Sequence, residues 1–223
     1  MFAGHLGAAL VIGRAERRVN VGVFIGAALL LDIALWLFVL FGWESIIIPA
    51  NFASTHQAKF IFPYSHSLLA SVLWSTLAGT AAFLCYSHYQ GARWRAAILV
   101  GVAVFSHWLL DVLVHQPELP LAGAKSPTIG LGLWQSMPVA LVVEAIIVVV
   151  GLFLFLPGSG LSRGKSIGLA ILSIFILAFT VAGMTIAPPP PSALAMAGSS
   201  LITLAIVCTL AFWLGRHPRG RQA

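Results

Sequence analysis

Residues 96–115 read AAILVGVAVFSHWLLDVLVH, and the reading of the whole chain starts from them. As an α-helix such a stretch is about 30 Å long, the thickness of a bilayer's hydrocarbon core. Inside it His107, Asp111 and His115 recur every four residues. At about 100° per residue a step of four advances about 40° around the helix, so the three side chains form one polar stripe about 12 Å long. A charged group at the centre of a membrane helix costs about 2.5–3.5 kcal/mol unless it is partnered. The stripe therefore requires partners from elsewhere in the chain.

The composition extends this reading to the other segments. Hydrophobic residues make up 60% of the 223 and charged residues 8%, where a soluble domain carries roughly 25% charge. The mean hydropathy is +1.00. Apolar runs of helix-spanning length recur to the C-terminus, which predicts one all-α membrane domain. Residues 1–13 are too short to span and predict an N-terminal re-entrant or interfacial helix. Six transmembrane helices are expected at about 21–41, 66–87, 96–115, 134–156, 166–187 and 193–214. The connection 42–63 is long enough to fold back as a cap, and 116–133 is a Pro/Gly-rich loop. Met1 to His5 lack the basic flank of a cleavable signal peptide. Cys85 and Cys208 lie within apolar runs and read as packing residues.

The net charge of +6 sits in short connections, so it reports orientation and not nucleic-acid binding. Six spans put Arg14, Arg17, Arg18, Arg93, Arg95, Arg163, Lys165, Arg216, Arg219 and Arg221 on one side. Only Lys59 and Lys125 fall on the other. The excess of basic residues in cytoplasmic connections then makes both termini cytoplasmic. With this orientation His107, Asp111 and His115 occupy the outer half of the bilayer. Asp32 in the first span, His66 at the start of the second and Glu144 in the fourth reach similar depth, and a re-entrant N-terminal helix lifts His5 towards them.

Imidazole and carboxylate are ligands for zinc and other first-row divalent ions. His5, Asp32, His66, His107, Asp111 and His115 are the expected metal ligands. Together with Glu144 they exceed the needs of one tetrahedral site, which suggests two or three ions. Clustered ions serve hydrolysis, most often of phosphoesters. In that reading Asp32, Asp111 or Glu144 orients or deprotonates the attacking water. Ser65, Ser67 and Tyr64 would support His66. His56, His88 and His217 sit in connections and read as solvated. The same cluster also suits a metal- or proton-coupled transporter, a reading lowered by the lack of paired broken helices in the pattern. A structural or partner-binding membrane subunit is the third alternative.

Gly4-His5, Leu31-Asp32, Tyr64-Ser65-His66-Ser67 and Ser106-His107-x-x-x-Asp111 resemble the YdjM-like family of bacterial inner-membrane metal-dependent hydrolases, over about residues 1–156. The resemblance implies a multi-pass protein of the bacterial inner membrane, with 157–223 as two additional packing spans. The order His, Asp, His, His-x-x-x-Asp, His is also similar to the zinc-dependent phospholipase C superfamily, a helical trinuclear phosphodiesterase fold. That likeness implies His5, Asp32, His66, His107 and Asp111 as ligands of two zinc ions bridged by Asp111, with His115 and Glu144 as candidates for a third. The expected substrate is a phosphoester of a lipid or lipid-linked molecule that reaches the site laterally. Two features of that superfamily are missing here, its N-terminal Trp ligand and a later His paired with Glu at helical spacing.

Overall fold

The short N-terminal helix α1 (Phe2–Gly13) stands at the centre of the molecule. Ala3, Leu6, Ala9 and Leu10 are buried on its several faces. It packs on α7 backbone to backbone. A Cβ added at Gly7 would lie 2.6 Å from the Ile147 carbonyl oxygen, and one at Gly151 would lie 2.5 Å from that of Gly7. Small residues at such a crossing let helices approach where lipid supplies no hydrophobic drive between them.

A computed structural model describes residues 1–87 and 93–216. After α1 come α2 (Val21–Ala28) and α3 (Leu30–Leu40), then α4 (Phe52–Thr55), a single turn inside the 42–63 connection. The long helices are α5 (Leu68–Cys85), α6 (Arg93–Val114), α7 (Met137–Phe155), α8 (Arg163–Thr185) and α9 (Ala193–Leu214). Among the described residues five helices are long and apolar enough to cross a membrane, and six if the bent pair α2–α3 counts as one span. The protein is an all-α membrane protein. His88, His217, Arg219 and Arg221 lie outside the described residues.

The outer surface of the bundle is apolar and its centre is polar, the reverse of a soluble protein. Leu77, Phe153 and Phe175 are 59%, 75% and 65% exposed, whereas His5, His107, Asp111 and Glu144 are at most 2% exposed. That distribution suits a lipid surround, which solvates Leu and Phe but not imidazole. Helix starts are fixed by side chains, since the first amides of a helix have no partner in lipid. Asn20, Ser67, Ser162 and Ser192 each accept a hydrogen bond from an amide in the first turn that follows. Of the two serines beside His66, the capping one is Ser67.

The first span differs from expectation. It is broken at Leu29, where α2 and α3 meet at a 48° bend. No proline causes it. His107 Nδ1 reaches the carbonyl of Ala28, the last residue of α2, at 2.7 Å, so a side chain has entered the helical ladder at the bend.

The connection after α3 forms a cap. Strands β1 (Ser45–Ile47) and β2 (Lys59–Ile61) pair antiparallel with Ile46 opposite Phe60, and Ile46, Phe52 and Phe62 are buried beneath them. A second short ladder, β3 (Leu119–Pro120) with β4 (Thr128–Ile129), pins the 116–133 loop. The basic segments gather at the opposite end of the bundle. Arg95 faces Glu16 at 3.9 Å, Arg17 donates to the Pro157 carbonyl, and Lys165 donates to that of Arg216. At that end Arg18 hydrogen-bonds Glu16 and holds its carboxyl below the usual glutamate range.

Candidate metal centre

Asp111 gathers the histidines. Its Oδ2 lies 3.1 Å from His107 Nε2, 3.5 Å from His66 Nε2 and 4.0 Å from His115 Nε2, and its Oδ1 lies 3.3 Å from His5 Nε2. The Met1 amino group also donates to Oδ1, at 3.3 Å. Asp32, on the first turn of α3 just past the break, points Oδ1 at both His66 and His107, 3.7 Å from each Nε2. Four elements, α1, α3, α6 and the turn before α5, thus meet at one point.

The partners of the other ring nitrogens decide where the protons lie. His107 Nδ1 faces only a carbonyl, that of Ala28, so it carries the proton and donates. His115 Nδ1 donates to Glu118 Oε1 at 2.6 Å. His66 Nδ1 lies 2.7 Å from Ser65 Oγ, and that hydroxyl gives its single proton to Glu44 Oε2, also at 2.7 Å. Ser65 Oγ is then an acceptor, and His66 Nδ1 the donor to it. Glu44 also accepts from the amides of Tyr64 and Ser65 on Oε1, at 2.7 and 2.8 Å. Burial pushes the Glu44 carboxyl up, and these donors pull it back towards the charged form.

Each of these three rings therefore turns a bare Nε2 inwards. His66 Nε2 and His107 Nε2 face one another at 3.1 Å with carboxylate oxygens on either side. Such a set of electron-pair donors could hold a metal ion. The spacing fits one. Ligand bonds of about 2.0–2.1 Å in a tetrahedron separate the ligand atoms by about 3.3 Å. His66 Nε2, His107 Nε2 and Asp111 Oδ2 lie 3.1–3.5 Å from one another, and Asp32 Oδ1 lies 3.7 Å from both imidazole nitrogens. Two overlapping ligand groups result, His66–His107–Asp111 and His5–Asp32–His107. His5 stacks on His107 with ring centres 3.6 Å apart, and its buried Nδ1 has no partner.

Five expected ligands, His5, Asp32, His66, His107 and Asp111, are thus brought together. His115 stands at the edge of the group, its ring 4.2 Å from that of Trp134. Glu144 is close by but otherwise engaged: it accepts the Gly4 amide of α1 at 3.1 Å, one of that helix's unpaired first amides. Two carboxylates were not expected in the site. Glu118 was legible as His115-x-x-Glu118, whereas Glu44 lies 21 residues before Ser65 with no local signal.

A cavity of about 330 Å³ opens on this cluster. Asp32, His66, Asp111, His115 and Glu144 line one side, with the cap rings of Phe52, Phe60 and Phe62 above them. His56, expected in solvent, lines it too. The far wall comes from α8 and α9, which do more than pack.

Comparison with protein-family models, with curated proteins and with solved structures finds no match to this chain.

Proposed function

We propose that this protein is a membrane-embedded metal-dependent hydrolase of a lipid or lipid-linked phosphoester, with zinc as the ion. The observation that carries the reading is the inward convergence of bare imidazole nitrogens and carboxylate oxygens at tetrahedral spacing. His66, His107 and Asp111 would hold one ion, and His5 with Asp32 would begin the site of a second, as in the resemblance to YdjM-like and phospholipase C proteins. Nitrogen and carboxylate ligands suit zinc. Bound there, the ions supply an acidified water and a clamp for phosphoryl oxygens.

The chain's own residues supply the rest. Asp32 is the least buried carboxylate of the cluster, its side chain 21% exposed beside the cavity. It takes the proton of the attacking water as the new P–O bond forms. The bond to the leaving alcohol then breaks, and the proton passes to that oxygen, so one diester and one water give a phosphomonoester and an alcohol. Asp111 would be a metal ligand, and Glu144 secures α1 so that His5 stays in place. Location in a bacterial inner membrane with cytoplasmic termini belongs to the same proposal.

The break in α2–α3 favours a second reading, a metal- or proton-coupled transporter, since unwound helices serve ion sites in such proteins. Metal analysis and turnover of a phosphodiester by purified protein separate the two. Stoichiometric zinc, lost in Asp111→Asn, together with phosphodiester turnover by the wild type, is the hydrolase result. Absence of tightly bound metal, with thermal stability unchanged by chelator, refutes it.

A further inference from the structure

The far wall of the cavity has no part in holding an ion, and its chemistry is of another kind. Phe179 and Met184 from α8 and Met196 and Leu204 from α9 form it. Four hydroxyls occur among them, and all but that of Ser200 are committed to carbonyls. Thr180 donates to the Ile176 carbonyl, Ser199 to that of Met196 and Thr203 to that of Ser199. Beside the Ser200 hydroxyl, the wall presents an aromatic ring, two flexible thioethers and a Leu, a largely apolar lining that adapts to an acyl chain.

This wall also has an opening. Leu204 is 3% exposed, yet Phe179, in the same lining, is 49% exposed. Gly183 lines the cavity as well, and a Cβ there would have nothing within 4 Å. The cavity therefore reaches the outer surface between α8 and α9. Phe179 and Gly183 lie in the last two turns of α8, and Met196 and Leu204 in the first three turns or so of α9. At 1.5 Å per residue the opening spans roughly 3–17 Å below the helix ends, within the hydrocarbon of one leaflet. At about 330 Å³ the cavity is at the lower end of small-molecule sites and encloses only part of a phospholipid.

We infer that the gap between α8 and α9 is a lateral entrance in which an acyl chain of a long-chain phospholipid lies, with its headgroup phosphate at the Asp32–Asp111 end of the cavity. The placement of the phosphate rests on the hydrolase reading; the placement of the chain rests on the wall and its opening. The entrance makes α8 and α9 the specificity-determining part of the protein.

The test uses full-length protein in nanodiscs doped with a diether phosphatidylglycerol that carries a mid-chain diazirine. After illumination, adducts are mapped by mass spectrometry. Adducts are expected on Met196 and Leu204, besides those on lipid-facing Phe175 and Ile202. Gly183→Trp fills the gap, so adducts on Met196 and Leu204 fall to background while those on Ile202 and the metal content stay. Ser199→Trp, on the opposite rim, serves if the first variant does not fold. Wild-type adducts confined to lipid-facing residues, or adducts on Leu204 that survive both tryptophans, overturn the entrance. Labelling of Leu204 in a protein that hydrolyses no phosphodiester supports the entrance and overturns the hydrolase reading.

Discussion

Replacing Glu44 by Gln tests the proton arrangement of the centre from outside the ligand set. Oε1 must remain an oxygen in the variant, because the amides of Tyr64 and Ser65 donate to it at 2.7 and 2.8 Å. The new NH2 then falls on the Ser65 side, where Oε2 now accepts from Ser65 Oγ at 2.7 Å. A donor at that point turns the hydroxyl round, and its proton points at His66 Nδ1, 2.7 Å away. His66 must shift its proton to Nε2, which is 3.1 Å from His107 Nε2 and 3.5 Å from Asp111 Oδ2, where the proposed ion would sit. To bind metal the variant restores the original tautomer and leaves a buried donor facing a donor, at about 1–3 kcal/mol. At 1.4 kcal/mol per tenfold this weakens zinc binding by roughly 10–100-fold, the range typical of residues that orient metal-bound histidines. Competition for zinc with a chromophoric chelator measures it, and the unfolding midpoint in detergent controls for folding. Ser65→Ala, which removes the same relay, should give a similar loss, and the double variant should add little to either. A well-folded Glu44→Gln protein that binds zinc as the wild type does would refute the tautomer argument.

Three further outcomes follow from the structure. Asp111→Asn should purify without metal by elemental analysis, because Asp111 faces His5 with one oxygen and His66 and His107 with the other; full occupancy would remove it from the ligand set. Gly151→Ala puts a methyl 2.5 Å from the Gly7 carbonyl oxygen, so α1 and α7 must part at about 1–3 kcal/mol, lowering the unfolding midpoint; an unchanged midpoint contradicts the close crossing. The carboxyl of Glu16 is held below its ordinary value of 4.5 by Arg18. The folded protein therefore binds this proton less readily than the unfolded chain, and stability falls as pH drops through 4.5 and below. Glu16→Gln should flatten that part of a midpoint-against-pH curve, and an unchanged slope would place the acid sensitivity elsewhere.

The residues of the centre were more legible than the relations among them. His5, Asp32, His66, His107 and Asp111 stood out because an imidazole or carboxylate in an apolar run is costly in lipid, and that cost is visible one segment at a time. The tertiary structure does bring all five together. His115 met the same criterion and stands at the edge, its Nδ1 on Glu118 and its Nε2 4.0 Å from Asp111, while Glu144 took the Gly4 amide. Glu44 was overlooked because it lies in a connection, where a carboxylate costs little until the cap buries it. The broken span was not legible either: residues 21–41 carry no proline, and the bend accompanies a contact with His107, 79 positions from Ala28.

The sequence by itself determined the class of molecule, the number and order of its spans and which side chains required a common partner. Hydropathy and the cost of buried charge act locally, so each span declares itself without reference to the others. Only the tertiary structure decided which nitrogens of His66, His107 and His115 face the cluster, which carboxylate gathers the histidines and which helices wall the cavity. Those depend on separations of a few ångströms between segments remote in the chain, and no periodicity along one helix encodes them. α8 and α9 are the clearest case: apolar throughout in sequence, they become a wall with an opening only because Gly183 and Leu204 are set opposite a cluster built from other helices.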